Sequence, residues 1–565
     1  MRVSAKTRAY QFYDALRPAS ARGTDAGTRG TDRRRGRVCR ESRKINMSAP
    51  IKALLYLVSL YAWWCLCAYF FEVDIPPPPQ QLRQPQARAT FADPPAGHAA
   101  AQSMASTATT ATAVQPAAVA IPGVERPSHI IKCPPNRRPF HTLLTAQGTV
   151  YNQWQARIMY HHWLKQREID GPCTEMSNFT RLCPSPRGEP DGVEKFIPTI
   201  FVKQLTTDVL AKYGHFGVLN RPHSVMEFFK NPELRARVVE EYVLIAETDH
   251  VLMKPMPNLA TPTEAAAHAF GYMHAGSHHQ RVVELCDPSG SWRNLQPVGP
   301  SPLIIKMSDL ERVTPRWLEY SYKLRGDKMP ATLIQDWVLE MWGYAIAAAS
   351  LGIRHRIIPS FQIEPNAYAR TADDFHTQSY IFHYTYGIEY TLQGRPQGFN
   401  TIGEWSLDKR HYGGAYPPPH LDPPPQGVNP STRWLWNAWN TAILAAGKTW
   451  PETNAMGTVG WRRESISASE IAKSKLASAV VGTKWLWANI RSLEFLEAGV
   501  LKTPWGSGKW GLAMRPKGLP KCAPPSECLF VDFSGAAHHV SFELPDRFTS
   551  VRVGDGEVVK GERIH

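Results

Sequence analysis

Residues Glu241–Asn258 read EYVLIAETDHVLMKPMPN. The apolar run Tyr242-Val243-Leu244-Ile245-Ala246 has the length and β-branching of a strand buried on both faces of a parallel sheet. It stops at Glu247-Thr248-Asp249-His250, three ionisable groups in four residues. Ligands of open α/β sheets gather at the carboxyl ends of strands. Two carboxylates spaced by one residue face one way there, as hard oxygen ligands for Mn²⁺ or Mg²⁺ with room left for a diphosphate. An acidic turn that merely ends the strand is the competing reading.

Outward from this stretch, strand and helix patterns alternate. Phe140–Thr145 reads as a first strand and Tyr151–Arg167 as the helix after it. Phe196–Val202 and Pro302–Lys306 are strand candidates, with helices expected over Ser308–Arg325 and Ala331–Leu351. Arg354–Pro359 and Tyr380–Tyr384 complete the set. Alternation of this kind predicts an α/β fold with a mostly parallel sheet over 131–413.

The flanks differ. The net charge of +15 resembles a nucleic-acid binder until it is mapped. Residues 1–50 hold 13 Lys/Arg against 4 Asp/Glu, a net of +9, and no basic stripe with interleaved aromatics follows, so nucleic-acid binding loses its support. This tail is expected to be disordered and cytosolic, and Met47 is a possible alternative start. Residues 51–71, IKALLYLVSLYAWWCLCAYFF, are apolar over the ~20 residues that span a bilayer. Basic residues precede them and acids follow, so they read as a signal anchor with the remainder lumenal. Residues 72–130, rich in Pro, Ala and Thr, read as an extended stem.

Past residue 413 comes a Pro-rich linker with a Trp-rich helical segment (414–502), then a small β-rich module (503–565) built from short alternating runs. Trp505 and Trp510 are expected in its core rather than on a sugar-binding face. The favoured cysteine pairs are Cys173–Cys183 and Cys522–Cys528, in an oxidising compartment.

FHTLLTAQGTVYNQWQARIMYHHW, VLNRP, EYVLIAETDHVLMKPMPNL, GPSPLIIK, WVLEMWGYA, HYTYG and IGEWSLDKR occur in this order. Together they resemble the peptidyl hydroxyproline O-arabinosyltransferases, Golgi type II glycosyltransferases, over roughly 138–412. The resemblance implies a GT-A type nucleotide-sugar fold, a UDP-β-L-arabinofuranose donor, Mn²⁺, retention of configuration, and a hydroxyproline-rich polypeptide acceptor in secreted or cell-wall glycoproteins. Peptidyl serine galactosyltransferases share part of the pattern. A membrane-anchored glycan-binding protein is the alternative from another class.

Against that family the residues take expected roles. Asp249 would hold the metal directly, with Glu247 on the metal or the donor ribose and His383, after the strand Tyr380–Tyr384, as a third ligand. Arg157 and Arg221 suit donor oxygens because guanidinium forks match diphosphate and ribose. Thr142 and Thr145 would meet uridine at the end of the first strand. Asp408-Lys409-Arg410 looks like a loop that closes on the diphosphate. Glu340, an acid inside an apolar helix, is the first choice for the catalytic carboxylate, and Asp336, one turn earlier, the second. His223 departs from the aromatic expected after Arg221-Pro222.

Overall fold

In a computed structural model all the described residues fall within one compact unit of the chain. The structure describes residues 133–365, 374–398, 401–488, 491–504, 506–513 and 527–565. The tail, the anchor read at 51–71, the stem, Trp505 and Cys522 lie outside them. No helix among the described residues is long and apolar enough to cross a membrane.

The α/β body is organised on a seven-stranded sheet of order β3-β2-β1-β4-β7-β6-β8. These strands are β1 (Phe140–Thr145), β2 (Met176–Ser185), β3 (Thr199–Lys203), β4 (Tyr242–Ala246), β6 (Ala265–Ala269), β7 (Val298–Lys306) and β8 (His355–Ile357). β1 pairs in parallel with both β2 and β4, and β2 with β3, while β7 runs antiparallel between β4 and β6. All five residues of β4 are buried, as its apolar run requires. From β1 the chain goes to β2 and β3 on one side, then crosses to β4 on the other. That reversal leaves a crevice past the carboxyl ends of β1 and β4, where such sheets bind ligands.

A second, three-stranded sheet lies beyond this edge: β5 (His250–Leu252), β9 (Gln362–Ile363) and β10 (Ile381–His383), with β10 central. Its pairing sets His383 opposite His250, bringing β10 to the acidic turn after β4. A two-stranded ribbon of β11 (Ile388–Tyr390) and β12 (Trp405–Leu407) follows.

Helix α1 (Val150–Asp170) begins at the crevice. Thr149 caps it by accepting from the Asn152 N–H at 3.3 Å, and Gly171, at φ +77°, ends it in a conformation that suits glycine. Helices α2 (Asn220–Lys230), α3 (Met307–Gly326) and α4 (Leu339–Ser350) pack on the sheet with one continuous core. The helix expected over Ala331–Leu351 is broken: a short turn over Asp336–Val338 precedes α4. Helix α5 (Pro430–Ala446) packs Leu435, Trp439 and Ile443 against Trp154 and Ile158 of α1 in a second core.

The C-terminal module is a closed antiparallel barrel of eight strands among the described residues, β13 (Lys484–Trp487), β14 (Arg491–Phe495), β15 (Val500–Thr503), β16 (Gly506–Leu512), β17 (Leu529–Phe533), β18 (Ala536–Glu543), β19 (Arg547–Arg552) and β20 (Val558–Ile564). β13 pairs with β20 and closes it, so no edge is left unpaired. The barrel therefore starts at Lys484, not at 503. Trp485, Leu493, Leu501 and Trp510 fill its interior, and Trp510 is fully buried there.

The cysteine pairing is corrected. Cys173 bonds to Cys133, and Cys183 is a free thiol enclosed in β2 whose burial pushes its pKa up to about 12. Cys183 stands far along β2 from the loop that carries Cys173, since each strand residue adds about 3.3 Å, beyond the reach of a disulfide. Cys528 is disulfide-bonded.

Candidate active site

A cleft of about 380 Å³ opens where the fold predicts a crevice, lined among others by Thr145, Asn152, Arg221, Glu247, Asp249 and Lys409. Five pieces of chain deliver them, Glu247 and Asp249 sharing the turn after β4. Thr145 ends β1 and donates its hydroxyl to the Ala246 carbonyl at 3.2 Å. Asn152, in the first turn of α1, donates its amide to Thr248 Oγ1 at 3.2 Å and so fixes the turn between the two acids.

Glu247, Asp249, His250 and His383 each offer one donor atom, and these atoms lie within 4.8 Å of one another. His383 Nε2 is 3.2 Å from Asp249 Oδ2 and 3.9 Å from Glu247 Oε2. The other ring nitrogen, Nδ1, faces Gln362 at 3.2 Å and Glu364 at 3.5 Å. An imidazole held at one nitrogen by a carboxylate, with the other free to face a cation, is the usual setting of a metal-binding histidine. Burial alone would lower the His383 pKa, but Asp249 and the other carboxylates raise it to about 10, so the place favours positive charge. Two carboxylates and one imidazole are a donor set that fits a divalent cation. His250 packs edge-on to His383 at 4.8 Å, and burial drives its pKa well down.

Lys409 brings its ammonium onto Asp249 Oδ2. Burial would raise the Asp249 carboxyl, yet Lys409 and His383 hold it well below the usual carboxylate range. Arg221, at the start of α2, bridges two acids: Nη2 is 2.6 Å from Glu247 Oε1 and Nη1 is 3.4 Å from Glu340 Oε2. Glu340, in the first turn of α4, is 1 % exposed. Burial pushes its pKa up to about 7, against the pull of Arg221 and with the help of Glu247.

The structure thus brings together Thr145, Arg221, Glu247, Asp249, Lys409, His383 and Glu340. Five other expected residues, Thr142, Arg157, Asp336, Asp408 and Arg410, lie elsewhere or act indirectly. Thr142 is enclosed in the sheet, its Oγ1 accepting from the Trp163 indole at 3.0 Å. Arg157 donates to the Thr449 carbonyl at 2.8 Å and to its hydroxyl at 2.7 Å, with its guanidinium over the Phe196 ring. It ties α1 to the segment after α5. Asp336 forms an ion pair with Arg325 from the turn before α4, because the helix break removes it from the face of Glu340. Asp408 is fully buried and paired with Arg410 at 2.6 Å, leaving Lys409 as the member of that triplet in the cleft.

Tyr151, Asn152, Gln362 and Glu364 were not singled out from the sequence. Asn152 had a legible signal, its place three residues after a helix-capping Thr. Glu364 and Gln362 become neighbours of His383 only through β9–β10 pairing, which nothing local announces.

Two family models match the chain: the hydroxyproline O-arabinosyltransferase family N-terminal domain over residues 140–357 and the C-terminal domain of that family over 380–451. Hydroxyproline O-arabinosyltransferase RDN2 of Medicago truncatula is 37% identical over 323 residues, 57% of this chain and 84% of that protein. Hydroxyproline O-arabinosyltransferase 3 of Arabidopsis thaliana is 37% identical over 323 residues, 57% of this chain and 85% of that protein. Among solved structures, an active-site mutant of LgtC aligns at 11% identity with a TM-score of 0.27, over 44% of this chain and 87% of its own, a likeness on which nothing below rests.

Proposed function

The chain belongs to the hydroxyproline O-arabinosyltransferase family, and from that premise we propose that it transfers L-arabinofuranose from UDP-β-L-arabinofuranose to the hydroxyl of hydroxyproline in secreted or cell-wall polypeptides. The observation that carries this reading is the convergence of Glu247, Asp249, His383, Lys409 and Arg221 on one cleft at the carboxyl ends of β1 and β4. The body would be a GT-A type fold, and the protein a Golgi type II membrane enzyme anchored through 51–71.

Asp249, Glu247 and His383 would hold Mn²⁺ or Mg²⁺. A divalent ion so placed supplies Lewis-acid neutralisation of the leaving diphosphate. Lys409, already at Asp249, adds a mobile point charge that can follow phosphate oxygens as they separate from the sugar. Arg221 restrains Glu247 and Glu340 together, so the two carboxylates keep fixed places as charge develops between them. Glu340, buried behind Arg221, would steady an oxocarbenium-like sugar as a carboxylate. In a retaining transfer on one face, the leaving phosphate oxygen takes the proton of the hydroxyproline hydroxyl.

UDP release tests the reading: purified protein, Mn²⁺, UDP-β-L-arabinofuranose, and either a polyhydroxyproline or a polyproline peptide. Release with hydroxyproline alone, abolished by chelator, is expected. Release with UDP-galactose and a serine peptide instead would replace the donor and acceptor assigned here. Absence of any release from folded protein would sink the transferase reading in favour of a glycan-binding role.

A further inference from the structure

The barrel lies beyond both matched family segments, which end at residue 451, yet it touches the loop that carries Lys409. Lys409 sits in a short 3-10 turn, Lys409–Tyr412, whose start is capped by Asp408 accepting from the Arg410 N–H at 2.8 Å. The next side chain, His411, is fully buried and donates from Nε2 to the Gly535 carbonyl at 2.9 Å. Gly535 lies in the turn between β17 and β18, at φ +77°. A Cβ there would overlap the Arg410 guanidinium and crowd Asp408 Oδ2. The barrel turn is thus pressed against the Asp408–Arg410 pair.

A second turn at the same end of the barrel, between β19 and β20, holds the other side of the loop. Asp555, itself fixed by Arg552 at 2.6 Å, accepts from the Gly414 N–H at 2.6 Å. Gly554 accepts from the Met456 N–H at 2.7 Å. Between the two turns the His411 ring stacks on Trp461, centroids 3.6 Å apart and planes 12° from parallel. Glu389, Asp408 and His411 form a buried cluster with the ligand types of a metal site. The acids are already engaged: Asp408 takes the Arg410 fork on both oxygens, and Glu389 accepts from the Gly403 N–H at 2.8 Å and from the Ser406 hydroxyl at 2.7 Å. The cluster holds the loop.

We infer that the C-terminal barrel is a clamp on the donor-binding loop: gripping 408–414 through Gly535 and Asp555, it sets Lys409 against Asp249. Gly535, His411 and Asp555 are positioning residues, and the reading rests on the cleft being the nucleotide-sugar site. Lys409 has a long, flexible stem, so its placement on one carboxylate oxygen depends on where its backbone is held. The family segments supply the ligands, and the barrel supplies the backbone restraint.

The test uses the full chain carrying Gly535→Ala, which forces a side chain into the clamp, and His411→Phe, which keeps the ring over Trp461 and removes the N–H. Gly482→Ala is the control, since Gly482 has the same left-handed backbone (φ +78°) with nothing within 4 Å of an added Cβ. Two quantities are read: affinity for UDP with Mn²⁺ by calorimetry, and amide exchange over 405–414. Both clamp variants are expected to weaken UDP about tenfold, the loss of roughly one charge-assisted contact. Exchange over 405–414 should rise while the barrel strands stay protected, and Gly482→Ala should leave affinity unchanged. Folded Gly535→Ala and His411→Phe proteins with unaltered exchange over 405–414 would overturn the clamp. So would a loss of affinity in Gly482→Ala equal to theirs. Wild-type protein that binds no UDP would overturn the nucleotide reading instead, and the exchange measurement then decides the clamp by itself.

Discussion

Lys409 and Asp249, 160 residues apart in the chain, form an ion pair on the same carboxylate oxygen that His383 faces. The ammonium therefore stands where a divalent ion would draw on Asp249, and it must yield part of that contact when the ion binds. Lys409→Met is expected to tighten Mn²⁺ binding in the absence of nucleotide and to weaken UDP in its presence. Each change should be about tenfold, corresponding to a charged contact of about 1.5 kcal/mol. Calorimetric titration of Mn²⁺, then of UDP, checks it, and two unchanged affinities would remove Lys409 from the donor site.

Glu340 gives the folded protein a distinctive dependence on pH. Its folded pKa, about 7, lies above the ordinary value of 4.5. Between those values the folded chain keeps a proton that the unfolded chain has released, so stability falls as pH rises through this window and then levels off. Glu340→Gln lacks that titration. It should be more stable than wild type above pH 7, by about 3 kcal/mol at most, and match it near pH 4. Transfer, if it needs the ionised form, should climb through about pH 7 in wild type and stay low and flat in Glu340→Gln. A stability gap that does not change with pH would contradict the assignment.

Arg221 is the cation shared by Glu247 and Glu340. Arg221→Gln leaves both acids without it, and buried carboxylates stripped of a partner cost about 3 kcal/mol or more. The expected result is a lower thermal midpoint at pH 8 and a smaller drop at pH 5, where Glu340 is neutral. The pH profile of transfer should also move to higher pH. Arg221→Lys restores charge but not the two-pronged contact, and should recover stability better than activity.

Arg157 offers a contrast. Its bonds to Thr449 and its place over Phe196 make it a tie between α1 and the segment after α5. Arg157→Ala should lower stability by about 2 kcal/mol and leave the affinity of the folded protein for UDP and Mn²⁺ unchanged. A selective loss of nucleotide affinity would return Arg157 to the donor site.

The parts that were legible in the sequence are local ones. β4 and its acids form a single uninterrupted signal, and His383 follows a short apolar run, so pattern and chemistry coincide at each. Nothing local points Arg157 to its contact in the structure, since its partner Thr449 lies 292 residues later and a guanidinium suits an aromatic cage as well as a phosphate. Ala265–Ala269 carries helix-favouring alanines but forms β6, since a buried place between β7 and β8 outweighs propensity. The first barrel strand is hidden in the sequence because Lys484–Trp487, KWLW, lacks the polar alternation that separates a strand from a helix turn. The break before α4 that takes Asp336 off the face of Glu340 has no Gly or Pro at the spot to announce it, and the partner Arg325 stands 11 residues earlier.

The packing of α1 against α5 bears on how the protein melts and how it can be divided. Trp154 and Ile158 come from the first matched family segment, Tyr412 and Trp439 from the second, and all four share one core. The Trp154 indole also donates to the Tyr412 carbonyl at 2.8 Å. The seam between the two family segments runs through the middle of this second cluster, so Trp154 and Ile158 are covered only when the second segment is in place. The two segments are therefore expected to melt together: a chain cut between residues 357 and 380 should stay associated until a single transition disperses both pieces.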